Sequence, residues 1–250
     1  MASTALPPVS RRLIASGAGS THPGCVRAVN EDAILTDPTG ALWAVADGIG
    51  GLGHGDLAAD IVTDVLAGMP HGQGGHALLH QALAVADAEI RARAAAEGLG
   101  PIGATVVVAL VDGDRLTIGW AGDSRCYLHR AGTLRQVTRD HSVVQELVES
   151  GQLDAAGAEV HPAAHVITRA VGAAERFEPE YGEIRLLPDD RLLLCSDGLT
   201  RCVADAEIAA TLDAAPVPAQ ACRALVEATL ARGAPDNVSV VVVNLSGAAA

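Results

Sequence analysis

Aromatic side chains are nearly absent from this chain: one Phe, two Trp and two Tyr amount to 2% of its 250 residues. A core must therefore be built from Val, Leu, Ile and Ala, and with 49% of residues apolar the material is ample. Cysteine is scarce as well. Cys25, Cys126, Cys195, Cys202 and Cys222 are odd in number and scattered, with no Cys-x-x-Cys and no paired His spacing. That pattern argues against a disulfide scaffold or a zinc site and suits a reducing cytoplasm. Cys195 reads as a small core residue rather than a nucleophile. No Lys/Arg-rich run relieves the formal net charge of −13, which argues against nucleic acid and acidic membrane surfaces as partners. No apolar run reaches the roughly twenty residues of a membrane span, and the longest, Val238 to Leu245, is strand-sized. The first dozen residues lack the apolar core of a signal peptide. With no stretch of linker composition, the reading is one soluble domain over residues 13–246, between tails at 1–12 and 247–250.

Short β-rich runs occupy Leu13 to Ser20, Ala33 to Thr36 and Ala41 to Ala46, before a glycine-rich turn from Gly48 to Gly55. Helices are expected at Asp56 to Leu66 and Gly75 to Glu97, the second carrying Leu78, Leu79, Leu83, Val85, Ala86 and Ile90 at helical spacing. Ala104 to Val111, Arg115 to Ala121 and Arg125 to His129 read as an antiparallel meander, with turns at Asp112-Gly113-Asp114 and Gly122-Asp123-Ser124. A helix from Ser142 to Glu149, strands from Glu178 to Leu187 and Arg191 to Cys195, helices from Glu207 to Leu212 and Pro218 to Ala231, and a strand from Val238 to Leu245 complete the chain. Pairs of helices interrupt runs of strands instead of alternating with them. This order suits an α+β layer architecture better than a doubly wound parallel sheet.

Four aspartates stand beside the apolar runs: Asp47, Asp123, Asp197 and Asp236. A carboxylate at a strand end is fixed by the sheet while its head group stays near solvent. If the four converge, their repulsion must be offset, and hard divalent cations such as Mg²⁺ or Mn²⁺ are the usual means. Any one Asp-Gly pair is an ordinary turn signal. Arg27, five residues ahead of Asp32, adds a guanidinium able to grip a phosphoryl group through two parallel hydrogen bonds. Metals with a phosphate clamp suggest phosphoryl chemistry.

In this light the chain closely resembles the metal-dependent protein phosphatases (PPM, type 2C), particularly the compact bacterial serine/threonine phosphatases. The resemblance rests on ordered blocks: Arg27-x-x-Asn30-Glu31-Asp32, Ala46-Asp47-Gly48-x-Gly50-Gly51, Gly103-Ala104-Thr105, Gly122-Asp123-Ser124-Arg125, Asp140-His141-Ser142, Thr168-Arg169-Ala170-Val171-Gly172, Cys195-Ser196-Asp197-Gly198-Leu199 and Asp236-Asn237-Val238-Ser239. It implies a four-layer αββα sandwich of two antiparallel sheets flanked by helix pairs. It further implies that Asp47 bridges two Mn²⁺ or Mg²⁺ ions, that the Gly48 carbonyl ligates one, and that Asp197 and Asp236 hold the other. A metal-bridging water would then attack the phosphorus of phosphoserine or phosphothreonine in proteins. Arg27 would bind the phosphate. Glu31 and Asp32 would orient metal-bound waters, Asn237 would orient Asp236 or satisfy a turn, and Asp123 with Asp197 would take a third, weaker ion. The partners implied are phosphorylated proteins, with a serine/threonine kinase opposing the chain and sharing its substrates, and the chain is read as a monomer.

Two features depart from or extend that pattern. Where bacterial relatives read Gly-Met-Gly-Gly-His, this chain reads Gly48-Ile49-Gly50-Gly51-Leu52-Gly53-His54, so His54 is a candidate general acid displaced along its loop, or else a solvated bystander. The segment at about 143–167 resembles the family's flap, or serves as a structural connector. A lone His141-Ser142 pair without a Gly-x-Ser-x-Gly elbow does not make a serine hydrolase. A catalytically silent phosphoprotein-binding relative is the reading from another class. Against it stand Arg27, Asp47, Asp197 and Asp236, all retained. An enzyme of small phosphorylated metabolites would call for a deep, narrow pocket.

Overall fold

Ten strands form two five-stranded antiparallel sheets in the computed structural model, which describes residues 13–49, 53–70, 75–154, 157–158, 161–173 and 177–247. The strands are β1 (Leu13–His22), β2 (Asp32–Thr36), β3 (Leu42–Ile49), β4 (Gly103–Asp112), β5 (Arg115–Ala121), β6 (Arg125–Arg130), β7 (Thr133–Gln136), β8 (Glu180–Arg185), β9 (Arg191–Cys195) and β10 (Val238–Gly247). One sheet runs β1-β10-β9-β6-β7 and the other β2-β3-β4-β5-β8. The helices are α1 (Gly55–Ala67), α2 (Gly75–Glu97), α3 (Val143–Glu149), α4 (Asp197–Thr200), α5 (Asp205–Ala214) and α6 (Pro218–Leu230).

The Val-rich runs form the middle of each sheet because a central strand is apolar on both faces. Along β4, Val107, Ala109 and Val111 face the other sheet, while Val106, Val108 and Leu110 pack toward α1 and α2. Along β10, Val241, Val243 and Leu245 enter the same inter-sheet layer, while Val240 and Val242 meet α5 and α6. Three apolar layers thus separate four structural ones, and the αββα sandwich is present. Trp43 and Trp120 are the aromatics of the middle layer. Gly17 on β1 makes room for the first, since a Cβ there would lie 2.7 Å from the Trp43 indole nitrogen.

The meander expected across Gly122-Asp123-Ser124 does not form. β5 pairs with β8, and β6 lies in the opposite sheet between β9 and β7. The apolar faces explain the crossing. Leu116, Ile118 and Trp120 of β5 and Cys126 and Leu128 of β6 all point into the inter-sheet layer, so the two strands face each other across it. Gly122 makes the exit at φ 110, pressed against Thr105, where a Cβ would sit 2.5 Å from the threonine Cβ. The two-sheet crossing carries Asp123 to the end of the sandwich.

Smaller differences have local causes. β7 is additional to the expected strands because Thr133-Leu134-Arg135-Gln136 offers one apolar side chain. Val85, placed on the core face of α2, is 49% exposed, while Leu79, Leu83, Ala86 and Ile90 are buried. β10 runs to Gly247, one residue into the expected tail. Gly50, Gly51 and Leu52 of the glycine-rich turn lie outside the described residues.

Candidate active site

Both sheets deliver carboxylates to one end of the sandwich. From one sheet come Asp32, opening β2, and Asp47, near the end of β3, which are paired across the strands, and Asp123, just after β5. The other sheet contributes Asp197, which opens α4 two residues after β9, and Asp236, two residues before β10. These groups feel one another. Burial pushes the Asp47 carboxyl well above its ordinary range, and Asp32, Asp197, Asp123 and Asp236 push it further. Burial also lifts Asp32 to about 6, against hydrogen bonds from Ser239 and Ser196, and lifts Asp123 to about 7, with Asp197 and Asp140 adding repulsion. Asp197 is raised by burial and by Asp236, while Arg201 opposes the shift.

The donor set fits a hard divalent cation. Every group in it is an oxygen, and Asp32 Oδ1 is buried with no hydrogen-bond partner. Carboxylates this close cannot all ionise near neutral pH without added positive charge. Among the described residues, no group of three or more His, Cys, Asp or Glu side chains is placed so as to hold a metal ion as it stands. Two guanidinium groups reach in among them instead. Arg27 grips Asp236 with two parallel contacts, Nε to Oδ1 and Nη2 to Oδ2, each 2.9 Å. Arg201 pairs with Asp197 through Nη2 and reaches Asp236 Oδ2 at 3.2 Å through Nη1.

Glycine is required beside two of these aspartates. A Cβ on Gly48 would lie 2.3 Å from the Gly55 carbonyl, and one on Gly198 would lie 1.8 Å from the Asn237 carbonyl oxygen. The Asp-Gly pairs are therefore close backbone contacts as well as turns. Gly48 N–H donates to the Glu31 carbonyl (3.0 Å), and the Glu31 carboxylate accepts from Gly55 N–H (3.0 Å), so Glu31 fastens the end of β3 to the start of α1. Asn237 N–H donates to Asp236 Oδ1 (3.0 Å), and its side chain also holds a loop. Its Oδ1 accepts from Glu31 N–H (2.8 Å), and its Nδ2 donates to the carbonyls of Pro23 and Val29 (3.0 Å each). It staples the loop that carries Arg27.

Arg27 remains 55% exposed, and its carboxylate partner is Asp236, not the Glu31 or Asp32 of its own segment. His54 sits exposed in the left-handed region at φ 79, at the entrance of α1, with no hydrogen bond among the described residues. The histidine whose charge bears on Asp197 is His165, on the turn after residue 161. Sequence reasoning missed several further groups. Ser196 donates to Asp32 Oδ2 (2.9 Å) and accepts from Ser239 N–H (3.0 Å). Ser239 meets Thr21 (2.7 Å), which accepts from Asn30 (2.8 Å). Ser196, Ser239 and Asn30 all stand inside quoted motif blocks, a signal that was available. Arg201 had only its spacing of four residues from Asp197.

Arg125, Asp140, His141 and Ser142 form scaffolding. Arg125 clamps both oxygens of Asp140 and touches Tyr127. His141 holds the Gly122 peptide from both sides, its Nδ1 accepting Gly122 N–H (3.2 Å) and its own N–H donating to the Gly122 carbonyl (2.9 Å). Ser142 caps α3 by accepting from Gln145 N–H.

Comparison with known proteins agrees with this fold. The chain is 37% identical over 239 residues to the serine/threonine protein phosphatase PstP of Mycobacterium tuberculosis, covering 93% of this chain but 45% of PstP, so it spans about half that relative's length. Its fold matches PppA, a key regulatory component of T6SS in Pseudomonas aeruginosa, with a TM-score of 0.84 and 39% identity over 93% of this chain and 98% of that one. It also matches the catalytic domain of PstP in complex with two manganese ions, with a TM-score of 0.87 and 35% identity over 94% of this chain and 99% of that one. Since residues 26–238 also match the Protein phosphatase 2C family as a whole, the chain belongs to that family.

Proposed function

We propose that this chain is a metal-dependent serine/threonine protein phosphatase that hydrolyses phosphoserine and phosphothreonine in proteins. The observation that carries the reading is the meeting of Asp47, Asp197 and Asp236 beside an outward-facing Arg27 at one end of the two sheets. Asp47, the Gly48 carbonyl, Asp197 and Asp236 would hold two Mn²⁺ or Mg²⁺ ions, which supply Lewis acidity and a nucleophilic water. The chain's own residues do the rest. Arg27, half in solvent, would exchange its paired contacts with Asp236 for the phosphoryl oxygens of an incoming phosphopeptide. Asn237 keeps the Arg27 loop in place, and Ser196 and Ser239 hold Asp32 beneath Asp47. The exposed Arg27 suits a protein substrate, opposed in the cell by a serine/threonine kinase. Five cysteines without a disulfide are consistent with a reducing cytoplasm. No described helix is long and apolar enough to cross a membrane. We read 143–167 as a flap over the site. In support, α3 buries no residue, and the segment is tied back by the Val143 N–H to Val166 carbonyl bond and the Ser142–Ile167 bridge.

The test is hydrolysis of a phosphothreonine peptide with Mn²⁺, with Mg²⁺ and with EDTA, alongside Asp197→Ala. Turnover that requires metal and disappears in the variant is expected; a folded protein inactive with either ion would favour the silent phosphoprotein-binding reading. Arg27→Ala should lower kcat/KM for the same peptide by about 10- to 100-fold, the value of a lost charge-assisted contact of roughly 1.5–3 kcal/mol. Arg27→Lys should recover only part of that, because an ammonium cannot match the parallel pair of contacts. Full activity of Arg27→Ala would remove the clamp from the mechanism.

A further inference from the structure

We propose that His76 and His80 form a two-histidine site for a borderline divalent transition ion such as Zn²⁺, sharing no residue with the carboxylate site. The two stand at i and i+4 near the start of α2, which makes them neighbours on one face of the helix. Both side chains are exposed, and their ring centroids lie 6.2 Å apart. Histidines at this helical spacing can each turn a ring nitrogen to one ion, and imidazole suits Zn²⁺ or Cu²⁺ where carboxylate oxygens suit Mg²⁺ and Mn²⁺. The pair is an exception to the absence of paired His spacing expected from the sequence, and it needs no cysteine. Two protein ligands leave the remaining positions on the ion to water.

Neighbouring rings orient the pair. The chain has one Phe and two Tyr, and Phe177 and Tyr181 both meet these histidines. The His76 ring stands edge-on to Tyr181 with centroids 4.1 Å apart, while His80 lies 5.9 Å from Tyr181 and 5.8 Å from Phe177. His80 Nδ1 is 3.1 Å from the Tyr181 hydroxyl. Burial raises that phenol to about 12, so it stays neutral and can accept a hydrogen bond. With Nδ1–H donated to it, the His80 Nε2 lone pair is left for a metal, and a hydrogen bond of this kind is the usual means of fixing the tautomer of a ligating imidazole. At a Zn–N distance of about 2.0–2.1 Å and a tetrahedral angle, two ligating rings have centroids about 5 Å apart, so the pair must close by roughly 1 Å. Rotation of two exposed side chains supplies that shift. The dipole at the start of α2 opposes a cation, but it acts only within the first turn and is weaker than two metal–nitrogen bonds. Because one helix carries both rings, the second nitrogen binds at high effective concentration once the first has bound. The ion would fix the opening turns of α2 beside Tyr181 on the edge strand β8.

The test is a Zn²⁺ titration, in saturating Mg²⁺, of protein isotopically labelled in its histidines, with the imidazole nitrogens followed by NMR. His76→Ala and His80→Ala assign the two signals by their loss, and thermal melts confirm that each variant is folded. The expected result is that the His76 and His80 signals of the original protein move together, at one Zn²⁺ concentration. In each single variant the remaining histidine should move only at a Zn²⁺ concentration at least about 10-fold higher, because the chelate is gone. Tyr181→Phe keeps the ring and removes the hydroxyl, and should raise the midpoint for both signals by about 10-fold. Signals that do not move, or a midpoint unchanged when either partner is removed, would overturn the inference and leave the phosphatase reading untouched.

Discussion

Asp47→Asn should lower phosphothreonine-peptide turnover by about 10³-fold, since the role proposed for Asp47 at both ions makes it worth several kcal/mol in the transition state. The same change should make the metal-free protein more stable. The amide keeps the shape of the side chain but removes a charge that burial and four neighbouring aspartates all disfavour. Relief of about 2 kcal/mol would raise Tm in EDTA by about 4–8 °C for a chain of this size. A pH series sharpens the test. Carboxyls whose folded values lie above their unfolded ones hold protons that the unfolded chain has lost, so the native state is favoured below the ordinary carboxylate range and loses that advantage as pH rises. Asp32, raised to about 6, and Asp123, raised to about 7, set the window. In EDTA the Tm of the original protein should therefore fall between about pH 4 and pH 7, and Asp47→Asn should show a shallower fall. Saturating Mn²⁺ should restore the original protein at pH 7 far more than the variant, because binding requires ionised carboxylates. A variant that melts below the original protein in EDTA at pH 7 would show that the Asp47 charge is compensated in the folded state.

The parts of this site that local pattern could reveal are those fixed by their own strand. Asp47, Asp197 and Asp236 sit next to the apolar runs of β3, β9 and β10, and those runs announce buried strands whatever they pair with. Helix α2 was legible for a similar reason, and its bounds, Gly75–Glu97, are those its spacing suggested. What stayed hidden depends on which distant segment lies alongside. Gly122-Asp123-Ser124 looks like a hairpin turn, and nothing local says that β8, some sixty residues on, will pair with β5 in place of β6. The bond between Ser196 and Asp32 spans 164 positions and that between Asn237 and Glu31 spans 206. Arg201 resembles any charged residue after a short helix until the fold brings Asp236 to it. The glycines carried more than their turn signal suggested. Beside Asp47 and Asp197, the missing Cβ is what lets two backbone segments touch.

Gly198→Ala tests that last point, and its effect should reach from stability into metal binding. The added Cβ would meet the Asn237 carbonyl oxygen at 1.8 Å and its carbon at 2.9 Å, with the Val238 Cα at 3.3 Å. All three are backbone atoms, and none can turn aside like a flexible side chain. β10 is held in register against β9 by Val240 opposite Cys195, and Asn237 is fixed by its own side chain to Pro23 and Val29. The strain must then open the gap between α4 and residues 236–238, which carries Asp197 away from Asp236. Overpacking of this kind costs about 3 kcal/mol, or a Tm lower by roughly 6–12 °C. Mn²⁺ affinity should fall in a variant that is still folded at 20 °C. Gly100→Ala is the control, because its Cβ would meet nothing within 4 Å and its backbone is not left-handed, so a change within about 0.5 kcal/mol is expected there. Equal melting temperatures and equal Mn²⁺ affinities for the two variants would mean that the α4 contact yields freely and that Gly198 does not set the spacing of Asp197 and Asp236.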